Sequence, residues 1–248
     1  MAYSVRVSSR LVAVHSRSYT DPSWTTGRSG DGLFGYGVQN VARRRGAQLV
    51  KRAVDVAGAL LALAVLAPVL AGIALLIRMD APGAVLYRQE RMGREGRIIT
   101  ILKFRTMYED ADQTLASILN TDPALRREYE RYHKLQDDPR VTPIGTVLRR
   151  YSLDELPQIL NVLRGDMSLV GPRAYMPSEL REMNGLARAV LQCPPGITGL
   201  WQVSGRNRLS FADRVNLDVH YLQNWSPWLD LYLLVRTGPV VLSGEGAA

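Results

Sequence analysis

Two adjacent carboxylates, Asp154 and Glu155, sit in a stretch crowded with arginine: RRYSLDELPQILNVLRGDMSLVGPR, from Arg149 to Arg173. An ionised carboxylate can act as a nucleophile towards phosphorus. A second acid beside it can hold a hard cation through oxygen. Arg149, Arg150 and Arg173 flank the pair, and guanidinium groups grip phosphate oxygens in a planar, bidentate fashion. Together these residues suit a phosphate ester handled with a metal. The competing reading is a plain helix cap, because Asp and Glu near a helix start satisfy free N–H groups and favour the dipole.

Local structure has to position the pair. Ser152 and Glu155 have capping-box spacing. Pro157 is expected early in its helix, since deeper in it would remove a backbone bond. With Asp154 itself as the cap, Pro157 falls within the first turn. Either choice puts both carboxylates at a helix N-terminus, a natural anion site. The same field is expected to keep Asp154 ionised.

The whole chain narrows the partners. Its 248 residues suffice for one good core. A net charge of +8 points to an anionic partner: nucleic acid, anionic lipid or a phosphate-bearing substrate. Nucleic acid ranks last and is not expected as a partner. Single strands need aromatic platforms interleaved with basic residues, whereas Tyr221, Trp225, Trp228 and Tyr232 gather near the C-terminus. The lone cysteine, Cys193, excludes an internal disulfide and a Cys-rich zinc site. His15, His133 and His220 are scattered, so any metal is expected to be a hard cation, Mg²⁺ rather than Zn²⁺.

Three regions emerge along the chain. Residues 1–47 are rich in Ser, Gly and Arg, show no apolar period and no secretory signal, and read as a disordered basic tail. Arg43, Arg44 and Arg45 close it, each drawn to anionic headgroups by about 1 kcal/mol. Residues 48–80 follow as a membrane helix. Val56 to Ile77 carries no charge and is about long enough to cross a bilayer. Pro68 favours a bend in its middle. Lys51 and Arg52 before it, and Arg78, Arg88 and Arg91 after it, place both flanks on one side by the positive-inside rule. A helix that enters and leaves by one face satisfies both features. Asp55, one turn beyond Lys51 and Arg52, is expected to pair with one of them.

Residues 81–248 form the remaining domain. Ala84 to Tyr87 and Ile98 to Phe104 read as a β-hairpin, with Lys103 and Arg105 on the same side of the second strand. Residues 109–135 look like two surface helices. Asp137-Asp138-Pro139 reads as a turn ahead of a helix rather than a metal site. Gly171-Pro172 turns the chain to present Arg173, and Pro177 to Val190 reads as an amphipathic helix. The glycines between Pro195 and Gly205 let backbone approach a ligand and make Arg206 a second phosphate arginine. Trp228 to Val235 reads as an interfacial helix. The expected fold class is α/β of the α+β kind: a compact, mostly helical, membrane-associated domain with a small hairpin and a re-entrant N-terminal helix.

Several blocks in order carry a resemblance: KRAVDVAGALLALAVLAPVLAGIALL, YRQERMGREGR, KFRTM, DDPRVTPIGTVLRR, LRRYSLDELPQILNVLRGDMSLVGPR, PGITGLWQVSGRN and LDVHYLQNWSPWLDLYLLVRT. From about Val50 onward the chain resembles the bacterial sugar transferases, the monotopic phosphoglycosyl transferases that prime surface-polysaccharide synthesis. KLQDDPRVT and YLQNWS resemble the short exopolysaccharide-priming members, which use UDP-galactose or UDP-glucose and lack extra membrane helices. The resemblance implies transfer of a hexose-1-phosphate from a UDP-sugar to undecaprenyl phosphate, with release of UMP. It implies Asp154 as nucleophile, Glu155 as ligand of Mg²⁺ (or Mn²⁺), and Lys103, Arg149, Arg173 and Arg206 as substrate contacts. It points to Asp230 as a ligand-site acid, the alternative being a salt bridge to a nearby arginine. It also implies a helix broken at Pro68, lodged in the inner membrane with the domain facing the cytoplasm. Two positions depart from the family pattern: Ala67 replaces a serine before Pro68, and Ala174 replaces a proline after Arg173. A transferase that moves the sugar alone, leaving UDP, and a catalytically inactive membrane-anchored module are the rival readings. Homo-oligomerisation is left open.

Overall fold

In a computed structural model, residues 45–132, 135, 137–183 and 185–244 are described. The expected tail therefore lies outside the described residues, except that 45–47 already belong to the first helix.

That helix, α1 (Arg45–Asp80), runs through Pro68 as one element. Its most apolar window has a mean hydropathy of 2.8 and is only 11% buried, unlike the core helix of a soluble protein. Its 36 residues span about 54 Å, more than a bilayer's hydrocarbon core. One face leaves Leu60, Leu61, Val65, Leu75 and Leu76 exposed. The other face rests on the domain along its length. Ala59, Ala62, Leu63 and Leu66 pack with Ile101, Ile159, Val162 and Met167. Leu70, Ile73, Ala74 and Ile77 pack with Phe104 and Leu148.

Polar anchors fix the start of α1. Lys51 Nζ donates to Asp230 Oδ2 (2.6 Å) and to the Val170 carbonyl (2.9 Å). Arg52 donates to the carbonyls of Val162 (2.5 Å) and Leu163 (2.9 Å). Asp55 does not pair with either basic neighbour. It is buried and accepts from Ser168 Oγ (2.8 Å) and the Leu169 amide (3.0 Å). Sequence spacing suggested a pair within the helix, but each of the three side chains reaches outward to backbone or to another element.

Strands β1 (Leu86–Met92) and β2 (Ile98–Phe104) pair antiparallel, from Leu86 opposite Phe104 to Met92 opposite Ile98. The second strand lies where expected; the first starts later and runs further. Residues 81–83 are held in a turn instead, because Arg105 donates to the carbonyls of Ala81 (2.6 Å) and Pro82 (2.5 Å), and Arg78 to that of Gly83 (2.9 Å). Arg105 thus follows the last residue of β2.

Two surface helices follow, α2 (Ala111–Thr121) and α3 (Pro123–Tyr132), as expected. Asp138 is a turn residue that accepts from Arg140 Nε (2.8 Å) and Nη2 (2.6 Å). Helix α4 (Pro143–Arg150) is capped by Thr142, whose hydroxyl accepts from the Gly145 amide (3.0 Å). A 3₁₀ segment (Leu153–Gln158) leads into α5 (Ile159–Arg164). Asn161 pins α5 to β2: it is fully buried, accepts from the Leu102 amide (2.9 Å) and donates to the Thr100 carbonyl (2.7 Å).

Strand β3 (Ser168–Val170) pairs in parallel with β4 (Gly196–Thr198). The crossover is not one helix. It comprises a 3₁₀ segment (Pro177–Met183) and the short α6 (Ala187–Val190), parted by Gly185 at φ +83°. The glycines at the two strands pack on each other. A Cβ on Gly196 would lie 2.1 Å from the Gly171 nitrogen, and one on Gly199 2.3 Å from the Gly171 oxygen. They serve backbone-to-backbone contact between the two strands. After α7 (Leu200–Ser204) and a 3₁₀ turn at Arg206–Arg208 come α8 (Phe211–Gln223) and α9 (Pro227–Ser243). Helix α9 is longer than expected and exposes Trp228, Leu231, Tyr232, Val235 and Leu242.

Candidate active site

A cavity of about 710 Å³ opens between the hairpin, the 3₁₀ segment after α4 and the loops that follow β3 and β4; Asp154, Glu155, Lys103, Arg149, Arg173 and Arg206 all line it. Asp230 does not line it. Its carboxylate instead accepts from Lys51 Nζ, Tyr221 Oη (2.7 Å) and Trp225 Nε1 (3.1 Å). Among the described residues it is a joint between α1, α8 and α9, paired with a lysine rather than an arginine. Lys51, Arg52, Asp55 and Pro68 likewise belong to the membrane helix and its seat.

The carboxylates are carried differently from the sequence expectation. Ser152 adopts a left-handed conformation (φ 53°) and makes no side-chain cap bond. Its hydroxyl accepts from Arg206 Nη2. No capping box forms, and the two acids lie on a 3₁₀ segment with Pro157 just ahead of α5. The favourable field comes from side chains rather than from an α-helix terminus. Glu155 is paired with Lys103 (Oε1 to Nζ, 2.8 Å). Burial pushes the Glu155 carboxyl up, but Lys103, with Arg173 and Arg91 behind it, outweighs burial and holds it below the usual range.

Asp154 has the opposite fate. Burial, and then the charge of Glu155, raise its carboxyl to about 6 against the pull of Lys103 and Arg149. An acid with that value is still roughly nine-tenths ionised at pH 7. Among the described residues no ion pair and no hydrogen bond from another side chain engages it.

The arginines are set by neighbouring elements. Arg149, on the last turn of α4, donates through Nε to Thr106 Oγ1 (2.9 Å). Arg173 is fixed at both ends. Its amide donates to Asp218 Oδ2 (2.9 Å), which also accepts from Tyr175 Oη (2.8 Å). Its guanidinium donates to Glu179 Oε1 (3.3 Å) and lies 5.3 Å from the Trp201 ring centre. These ties hold the loop despite Ala174. Burial raises the Asp218 carboxyl to about 7, although the Arg173 amide and Tyr175 hydroxyl pull it down. Arg206, also at positive φ (53°), lines the cavity from the turn after α7.

Sequence reading missed Arg91, Trp201 and Gln202, which line the same cavity. Arg91 lies two strand positions beyond Gln89 and four beyond Tyr87, all on one face of β1. That alternation was the available signal.

Among the described residues no three metal-ligating side chains converge. Two adjacent carboxylates nevertheless fit the way Mg²⁺ is often held, by one or two acids with phosphate oxygens and water completing the shell.

A hairpin and short helices bring two acids and several arginines to one cavity, beside a helix long and apolar enough to cross a membrane. The chain belongs to the bacterial sugar transferase family, whose model matches residues 46–244. It is 46% identical over 197 residues to the exopolysaccharide production protein ExoY of Sinorhizobium fredii, covering 79% of this chain and 87% of that one. It is 44% identical over 210 residues to the UDP-galactose-lipid carrier transferase of Erwinia amylovora, covering 85% of this chain and 44% of that one. It is 40% identical over 210 residues to the undecaprenyl-phosphate galactose phosphotransferase of Salmonella typhimurium, again covering 85% and 44%.

Proposed function

We propose that this protein transfers a hexose-1-phosphate from a UDP-sugar, UDP-galactose or UDP-glucose, to undecaprenyl phosphate, as the first step of exopolysaccharide synthesis. The observation that carries the reading is the contrast within the acid pair: Glu155 is tied to Lys103, while the Asp154 carboxylate faces the cavity without such a partner. An ionised, loosely held carboxylate among arginines is arranged to attack rather than to brace. Asp154 Oδ bonds to the sugar-bearing phosphorus, and the bond from that phosphorus to the bridging oxygen breaks. UMP leaves with the electron pair, and the sugar phosphate stays on Asp154. A phosphate oxygen of the lipid then attacks the same phosphorus and frees the Asp154 carboxylate.

Arg149, Arg173 and Arg206 orient the diphosphate and offset charge as it gathers on the leaving phosphate. Lys103 holds Glu155 ionised and aimed into the cavity. Bound Mg²⁺, with Glu155 as its protein ligand, supplies further charge neutralisation. The placement of α1 supports a monotopic setting. Its early and late turns rest on one domain, so both ends belong on one face of the membrane, the cytoplasmic face by the positive-inside rule.

The test is product identity with UDP-galactose or UDP-glucose and a polyprenyl phosphate acceptor. UMP is the expected nucleotide. UDP would indicate transfer of the sugar alone, and no nucleotide from either donor would leave a membrane-anchored assembly module as the better account.

A further inference from the structure

The cavity holds buried hydrogen-bond donors that nothing on the protein satisfies. Arg91 is 8% exposed; its Nη2 donates to Gln89 Oε1 (2.7 Å), yet its Nη1 has no partner among the described residues. The same holds for Arg173 Nε and for Trp201 Nε1, on a residue 9% exposed. All three residues line the one cavity. They are also neighbours: the Met92 amide, next to Arg91, donates to the Tyr175 carbonyl (2.8 Å), and Arg173 lies over the Trp201 ring.

Buried N–H groups are almost always paired, because an unmade bond there is costly. Unpaired donors on Arg91, Arg173, Trp201 and Arg105 in one cavity mark a place where a ligand brings the acceptors, and the unpaired Gln202 Oε1 beside them can take a hydroxyl of the same ligand. Three of the donor side chains are cations, and an indole N–H can only donate. The ligand must therefore be acceptor-rich and anionic. Burial, and then the neighbouring Arg173, lower the Arg91 guanidinium; an anion between them relieves that repulsion. Arg105 Nε is also unpaired, but its two Nη groups are spent on Ala81 and Pro82.

We propose that Arg91 Nη1, Arg173 Nε and Trp201 Nε1 form a cradle for a phosphate group. The cradle deepens the transferase reading and rests on it for the source of the phosphate, which is either the nucleotide of the donor or the headgroup of the lipid acceptor. Arg91 and Trp201 then touch substrate directly, beyond the arginines already assigned.

The test is equilibrium binding to the full chain in detergent with a chelator present, so that neither metal nor turnover contributes. Three probes are used: inorganic phosphate, UMP and a short polyprenyl phosphate. Arg91→Gln removes the charge and Nη1, Trp201→Phe removes the indole N–H together with part of the ring, and Arg97→Gln on the exposed hairpin tip is the control. The cradle predicts at least about tenfold weaker binding of inorganic phosphate in Arg91→Gln, a smaller loss in Trp201→Phe, and none in Arg97→Gln. Loss for UMP alone assigns the cradle to the donor, and loss for the lipid phosphate alone to the acceptor. Unchanged binding of all three probes in both cradle variants overturns the proposal. Failure of Asp154 to form a covalent intermediate would leave these bindings untouched, so the two readings fail separately.

Discussion

Asp154 and Glu155 are chain neighbours whose carboxyls move in opposite directions, and that difference is open to measurement. Asp154 must be ionised to attack, so UMP release in a single turnover should rise with pH through an acid limb near 6. Burial is the main cause, and the charge of Glu155 comes next. Glu155→Gln removes that negative neighbour, so the limb of its residual activity should move to lower pH. Lys103→Met removes a cation that lowers Asp154 and should move it higher. A limb that stays put in both variants contradicts this electrostatic account. Asp218 gives a second pH signature, in stability. Its folded value, about 7, lies above the unfolded one. Its contribution is therefore fully present below the unfolded value and lost as pH rises through about 7. Asp218→Asn should flatten that fall in melting temperature between about pH 4 and 7. At this scale residue type and short-range motif flagged the acids, Arg149, Arg173 and Arg206, and the family resemblance added Lys103; all of them line the cavity. Asp230 carried the same kind of signal but sits in a joint with Lys51. Arg91 was read in sequence only as a basic flank of the membrane helix and Trp201 was not singled out; only packing reveals their unpaired donors.

The elements matter through their seats. Asp55 ties α1 to β3 through Ser168 and Leu169. Asp55→Ala should cost about 1–3 kcal/mol, because it removes the acceptor of the Leu169 amide and leaves the Ser168 hydroxyl only the Val170 carbonyl; denaturant unfolding in detergent measures it. The glycine pair between β3 and β4 is equally strict. Gly196→Ala meets the Gly171 backbone and should destabilise by about 1–3 kcal/mol, whereas Gly72→Ala, with open space around it, should not. A stable Gly196→Ala protein would contradict the observed strand contact. The β2 strand, the surface helices and the membrane helix were readable because period and composition decide them. The 3₁₀ segments were not. Ser152 and Glu155 have capping spacing, yet Ser152 turns left-handed and its hydroxyl goes to Arg206, a contact 54 residues away. Likewise Pro177 to Val190 has helical composition, but Gly185 at positive φ divides it.

At the scale of the whole molecule, a long apolar helix lies along a basic domain whose cavity holds the acids. The fold class was legible because it follows from one charge-free stretch and a short hairpin. How α1 and α9 meet was not, since Lys51 and Asp230 are 179 residues apart. Both flanks of α1 should lie on the same side of the membrane. Cysteines placed near Arg45 and near Arg91 should therefore be labelled from one side only, and labelling from opposite sides contradicts the monotopic arrangement. Pro68→Leu restores a helix hydrogen bond and should shift the population towards a straight span, read by the same labelling.

The most direct measurement of the central claim is the mass of the enzyme after incubation with UDP-sugar alone, without lipid. The account predicts about one UMP released per enzyme and a hexose-phosphate adduct on the peptide that contains Asp154. Asp154→Asn should lose both, since the amide is a poor nucleophile of nearly the same size. An Asn variant that still turns over, with no adduct on the parent enzyme, would contradict the covalent mechanism and make direct attack by the lipid phosphate the better one.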